Sequence, residues 1–237
     1  CSLAESITAE DVRKLRRQYP GVPVVTYVNT YADVKAESDI CCTSGNANAV
    51  VESLNTDTVI FLPDEFMAGN IARETGMRVI FPTKNPQDLG KRSKDLDYTI
   101  IGWQGRCEVH EQFTVDDIKQ VRKQHPDAII LAHPECPPDV VKAADYSGST
   151  SQMIRMIRDS EAGQYLLLTE CSMADNIIAE NPDKDLLRLC SIRCPHMQEI
   201  TLEQTRDALL KEQYEIHVPE DIRKRAYQAV ERMISIG

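Results

Sequence analysis

The sequence predicts an α/β protein built from repeated three-layer αβα units with parallel sheets. Two observations carry this. The chain lies over itself when shifted by 106 positions, without a gap for about 70 residues, which marks a duplicated unit. Short β-branched runs without polar alternation also alternate with helical patterns, as strands buried on both faces of a parallel sheet do. In the register, Cys1 falls on Cys107, and Thr8, Asp11, Arg16, Gln18 and Pro20 fall on Thr114, Asp117, Arg122, Gln124 and Pro126. Val24-Val25 falls on Ile130-Leu131, Asp39 on Asp145, Asp64 on Glu170 and Met67 on Met173.

Each copy opens with a helix. Thr8 and Thr114 are its caps, and the acidic first turns (Glu10-Asp11, Asp116-Asp117) suit the positive end of the helix dipole. Val12 and Leu15, or Ile118 and Val121, recur at helical spacing, with Arg and Lys between them. Pro20 and Pro126 stop the helices. Strands follow at Val22 to Val28 and Ala128 to Ala132. A second helix and a further strand, Thr58 to Leu62 or Tyr165 to Leu168, complete the unit. Lys84 to Lys94 is polar and reads as a loop. Pro219 to Ile236 reads as a terminal helix with Pro at its first position, packed on one of the units.

Composition narrows the function classes. The 237 residues are 42% apolar and 27% charged, which excludes disordered and fibrous architectures. The net charge of −10 disfavours nucleic acid and acidic membranes as partners, and no apolar run has the length of a membrane helix. No signal peptide is evident, and a cytoplasmic location is expected. A first residue Cys rather than Met is expected of a processed or trimmed product.

Eight cysteines are too few for a disulfide scaffold of this size. Cys1 and Cys107 open the two copies and Cys194 follows the second. One thiol per unit suits a metal on a pseudo-symmetry axis, whereas a compact zinc site would show Cys-x-x-Cys pairs, and none occurs. Thiolates select iron–sulfur or zinc, and three of them leave one position open. Buried, inert thiols are the competing reading.

Ligands of open α/β sheets bind beyond the carboxyl ends of the strands. There the first copy presents Tyr27-Val28-Asn29 and the second His133-Pro134-Glu135, all able to donate, accept or move protons. Downstream, Cys42-Thr43-Ser44-Gly45 and Gly148-Ser149-Thr150-Ser151 form hydroxyl-rich turns entering helices, suited to phosphate or carboxylate.

The segments CSLAES, TYVNTYADVKAESD, CCTSGNA, LPDEFMAGNIA, GWQGRCEVHEQF, HPECPPDVVKAADYSGSTSQM and CPHMQEITLE, in this order, resemble the quinolinate synthase family, iron–sulfur enzymes of NAD biosynthesis. The resemblance implies three αβα domains in pseudo-threefold arrangement and a 4Fe-4S cluster held by Cys1, Cys107 and Cys194. It implies condensation of iminoaspartate with dihydroxyacetone phosphate to quinolinate, with loss of phosphate and water. L-aspartate oxidase or dehydrogenase would supply the iminoaspartate. By motif position Tyr27, Asn29, Ser44, His110, His133, Glu135 and Thr150 bind substrate, and Tyr27, His133 and Glu135 are catalytic, with Glu135 the general acid/base. Trp103 is expected to pack. Family members carry a further domain ahead of Cys1, so this chain is expected to be the carboxyl two-thirds of a longer polypeptide.

On this reading, residues 1–104 form the first unit, 105–190 the second, and 191–237 the third-ligand segment with terminal helices. Some relatives have Cys-x-x-Cys-x-x-Cys near the third ligand, where this chain has Cys190-x-x-x-Cys194; a regulatory disulfide between those two is left open and is not something the resemblance implies. Cys41, Cys42, Cys136 and Cys171 default to packing. The alternative is a non-catalytic module that binds a phosphorylated metabolite, with its cysteines merely buried; a zinc hydrolase is a third reading.

Overall fold

The computed structural model describes residues 1–82, 97–189 and 191–236. The Lys84–Lys94 stretch and Cys190 therefore lie outside the described residues. Among those described, the strands form two sheets, both parallel throughout. The chain is an α/β protein, as its apolar runs predict.

A short helix α1 (Ser2–Glu5) leads to α2 (Ala9–Gln18), β1 (Val24–Tyr27), α3 (Ala32–Ala36), β2 (Ile40–Cys42), α4 (Ala47–Ser53), β3 (Thr58–Leu62), α5 (Glu65–Thr75), β4 (Arg78–Ile80) and β5 (Thr99–Gly102). The second copy continues with α6 (Val115–Gln124), β6 (Ile129–Ala132), α7 (Pro138–Ala143), β7 (Tyr146–Ser147), α8 (Thr150–Asp159), β8 (Gln164–Leu168), α9 (Ser172–Glu180) and β9 (Asp185–Arg188). Three helices follow: α10 (Pro195–Gln198), α11 (Leu202–Lys211) and α12 (Glu220–Ile234). The sheets run in the orders β2-β1-β3-β5-β4 and β7-β6-β8-β9. The duplicated pattern is thus second–first–third–last strand, with β4 added at one edge.

Alternating side chains build a core on each face of both sheets. In the first sheet Val25, Val59, Phe61 and Ile100 pack on one side, and Val24, Ile60, Leu62 and Ile101 on the other with α2. In the second, Ile130, Ala132, Leu166 and Leu168 lie under α6 and α7, while Leu131, Tyr165 and Leu167 lie under α8 and α9.

The repeated residues make repeated bonds. Thr8 and Thr114 cap their helices in reciprocal capping boxes with Asp11 and Asp117. Asp39 accepts from the Val24 backbone N–H at 2.7 Å and pairs with Arg16 at 2.8 Å. Asp145 accepts from Ile130 N–H at 2.9 Å and pairs with Arg122 at 2.9 Å. Each aspartate closes an otherwise open donor at the start of a central strand. Asp39→Ala or Asp145→Ala should cost about 1–3 kcal/mol, the penalty of an unsatisfied buried donor, read as a lower urea midpoint at unchanged slope.

α12 packs on α3 and β2 of the first unit and is tied there by Arg225 to Glu37 at 2.9 Å. Pro219 proves to be the cap residue rather than the first helical residue: its ψ of 136° is extended, and the helix starts at Glu220. Trp103 is a packing residue, its indole N–H donating to the Ser6 carbonyl at 3.1 Å. Cys41, Cys42 and Cys136 are buried free thiols. Cys171 corrects the packing expectation, because it is disulfide-bonded. Cys194 is a free thiol. No helix among the described residues is long and apolar enough to cross a membrane.

Candidate active site

The ends of β1 and β6 meet across the two units. Tyr27, the last residue of β1, donates its phenol to Glu135 Oε1 at 2.6 Å and is hydrogen-bonded by Ser44. Glu135, three residues beyond β6, is fully enclosed, and its other oxygen lies 3.1 Å from His110 Nδ1. His110 follows Cys107 by three residues in a single 3-10 turn. Its Nδ1 is also 3.2 Å from Cys107 Sγ, and its Nε2 is 3.0 Å from Thr169 Oγ1. His133 stacks on His110, ring centroids 4.5 Å apart and 18° from parallel.

The electrostatics divide the roles. Burial pushes the Tyr27 phenol well above its ordinary pKa, and the neighbouring Glu135 charge pushes it further, so Tyr27 keeps its proton. Burial would also raise Glu135, but the histidines and the hydrogen bonds from His110 and Tyr27 outweigh it and hold the carboxyl well below its usual range. Burial and the nearby His110 lower His133 to about 4. The backbone N–H of Glu135 points at His133 Nδ1, 3.3 Å away, which fits a neutral ring with its proton on Nε2. The site therefore holds one ionised carboxylate among donors.

Of the sequence-predicted residues, the structure brings Tyr27, Ser44, His110, His133 and Glu135 into one contiguous group. Asn29 is half-buried two residues past Tyr27. Thr150 is exposed on the first turn of α8, and the hydroxyl used in that turn is Ser149, which caps the helix through Gln152.

Two buried residues of this region escaped sequence reasoning. Thr169 follows β8 and holds the far nitrogen of His110. Asp64 follows β3; its Oδ1 accepts from Met67 N–H at 2.7 Å, while Oδ2 is buried without a partner. Both stand just past the third strand of their unit, where the strand-end rule could have found them.

Burial, and then repulsion from Glu135, raises Asp64 well above the ordinary aspartate range. A raised acid keeps a proton that the unfolded chain has lost, so its contribution to stability falls as pH rises above that range. Asp64→Asn keeps the acceptor for Met67 and removes this loss. Thermal unfolding of the variant should match or exceed the parent at neutral pH, with the difference shrinking in acid.

Cys107 is half-buried, and burial raises its thiol well above the ordinary value. Its Sγ, a His110 ring nitrogen and a Glu135 oxygen lie within 4.8 Å of one another and could hold a metal ion. Cys1 and Cys194 stand outside that trio, yet their segments converge on Cys107. The Ser2 hydroxyl donates to the Arg106 carbonyl at 3.2 Å and accepts from the Glu108 N–H at 3.2 Å, bracketing Cys107. His196, two residues past Cys194, reaches Glu108 at 3.0 Å. Gly105 permits this approach: a Cβ there would sit 2.5 Å from Ser6 Oγ and 2.6 Å from the Pro63 carbonyl.

The family model described as "Quinolinate synthetase A protein" matches residues 1–235. The chain belongs to this family. Quinolinate synthase 2 of Mesorhizobium japonicum is 52% identical over 236 residues, covering 100% of this chain and 66% of that relative. Quinolinate synthase of Agrobacterium fabrum is 51% identical over 100% of the chain and 62% of its own length, and that of Xylella fastidiosa strain 9a5c is 50% identical, covering 100% and 63%. The chain thus spans less than two thirds of the length of these quinolinate synthases.

Proposed function

We propose that this chain forms most of a quinolinate synthase, which condenses iminoaspartate with dihydroxyacetone phosphate and releases phosphate and water. Cys1, Cys107 and Cys194 would hold a 4Fe-4S cluster. The observation that carries the reading is the convergence of the three cysteine segments through Ser2, Glu108 and His196. The donor set fits the group: three free thiols come from three segments. A cluster spaces its cysteines more widely than a single ion does, because each ligates a different iron. Burial keeps the Cys107 thiol protonated, and only a bound cation would offset that cost.

When bound, the cluster supplies a Lewis-acidic iron with an open position for a substrate oxygen or nitrogen. The chain's own residues supply proton traffic. Glu135, ionised and accepting from Tyr27 and His110, is the group to take a proton from substrate carbon or nitrogen at either carboxylate oxygen. Tyr27, held protonated 2.6 Å from Glu135, gives its proton to a substrate oxygen or nitrogen and regains one from the protonated Glu135 through the same bond. His133, neutral, offers its Nε2–H as a donor without adding charge. Ser44, Asn29 and Thr150 are the polar groups for carboxylate and phosphate. L-aspartate oxidase or dehydrogenase would supply iminoaspartate, in the cytoplasm. The unit boundaries at 104/105 and 190/191 follow from the same reading.

A second reading rests on the Cys107, His110 and Glu135 trio, whose mixed sulfur, nitrogen and oxygen ligands suit one zinc ion. Anaerobic purification separates the two. About four irons per chain in a brown protein, lost in Cys107→Ala, supports the cluster. A colourless protein with one zinc per chain overturns it.

A further inference from the structure

Glu135 belongs to the second unit, yet the first unit grips it at both ends. At the side-chain end stands Tyr27, 2.6 Å away. At the backbone end stands Asn70 of α5, a residue that the proton transfers proposed above do not use. Its Nδ2 donates to the Pro134 carbonyl at 2.8 Å and to the Cys136 carbonyl at 3.2 Å. Those two carbonyls flank Glu135 along the chain. With two acceptors in reach, the amide has one workable orientation, its NH₂ toward them.

The segment so held is a tight turn. His133, Pro134, Glu135 and Cys136 link β6 to α7, and the Cys136 N–H closes the turn on the His133 carbonyl at 2.9 Å. That bond leaves the Pro134 and Cys136 carbonyls to be met from outside. The Pro134 carbonyl belongs to the peptide that enters Glu135. Holding it therefore sets the direction in which the Glu135 side chain leaves the backbone.

Packing alone would favour a different residue at this place. Asn70 is 2% exposed, and its Oδ1 is buried with no hydrogen-bond partner among the described residues. A buried acceptor left unpaired costs stability that an apolar side chain of similar size would not. Nor is Asn70 needed merely to bring α5 against the second unit. Arg73, one turn along the same helix, already donates to the Pro138 carbonyl at 3.1 Å. What Asn70 adds is a hold on both sides of Glu135.

We propose that Asn70 is a positioning residue, which aims the Glu135 carboxylate at the substrate through the carbonyls of Pro134 and Cys136. The inference rests on the role given to Glu135 under the proposed function.

A double-mutant cycle in the polypeptide at the full length of its relatives tests it. N70A should keep the parental iron content and change KM less than about threefold, while kcat falls roughly ten- to a hundredfold, the cost of a misplaced reacting group. On the E135Q background the same substitution should change kcat less than about twofold, because the group it aims is already gone. R73A should keep the parental kcat. Hydrogen–deuterium exchange should quicken at the Glu135 and Cys136 amides of N70A, with α5 as protected as in the parent. Should N70A fail to fold, N70S, with a shorter donor, carries the same cycle. Parental kcat in N70A, an equal loss of kcat on both backgrounds, or an equal loss in R73A overturns the proposal while the proposed function stands. A parent that makes no quinolinate overturns the proposed function itself, and this role falls with it.

Discussion

Glu135→Gln, placed in the polypeptide at the full length of its relatives, leaves iron content and cluster absorbance at the parental level while turnover falls about 10²- to 10⁴-fold. The expectation follows from what the carboxylate does in the folded chain. It is the ionised group on which Tyr27 and His110 converge, at 2.6 Å and 3.1 Å. The amide keeps its volume and can still accept from Tyr27, so the enclosure should survive. It cannot take up a proton, and its NH₂ turns a donor toward His110 where an acceptor stood. Steady-state rates with iron quantified on the same sample check this. Undiminished turnover removes Glu135 from the chemistry, and a loss of iron together with rate recasts it as a ligand of the metal.

Cys194→Ser should act on the metal first. A hydroxyl is a far poorer ligand for iron than a thiolate. Iron per chain should drop well below the parent after anaerobic reconstitution, and activity should vanish with it. Cys107→Ser should behave alike, whereas Cys136→Ser, at a buried free thiol that donates to the Leu168 carbonyl at 3.4 Å, should keep its iron. Iron retained at the parental level in Cys194→Ser would transfer the third-ligand role to Cys190.

Much of the scaffold was legible because the chain states it twice. Thr8 and Thr114, Asp39 and Asp145, and the unalternated runs Val22 to Val28 and Ala128 to Ala132 each name an element whose physics is local, although the first run forms strand only over Val24–Tyr27. Tyr27, His133 and Glu135 were legible by a topological rule, since parallel strands deliver their last residues to one edge. Other features depend on distant neighbours. Thr169 matters only because His110, 59 positions away, turns a nitrogen toward it. Asp64 is unusual through enclosure beside Glu135, which no spacing reveals. The disulfide at Cys171 depends on thiol proximity that sequence does not encode, and the start of α12 moved by one residue because Pro219 adopts an extended ψ.

The two aspartate latches grip β1 and β6 at their beginnings, whereas Tyr27 and His133 stand where the same strands finish. On the proposed function, holding and reacting are thereby assigned to opposite tips of one rod. After the ancestral unit was doubled, one tip stayed alike in both descendants while the other drifted, a phenol here and an imidazole there, without loosening either sheet. A symmetric framework could in this way come to surround an asymmetric chamber, each half contributing a group that its twin does not have.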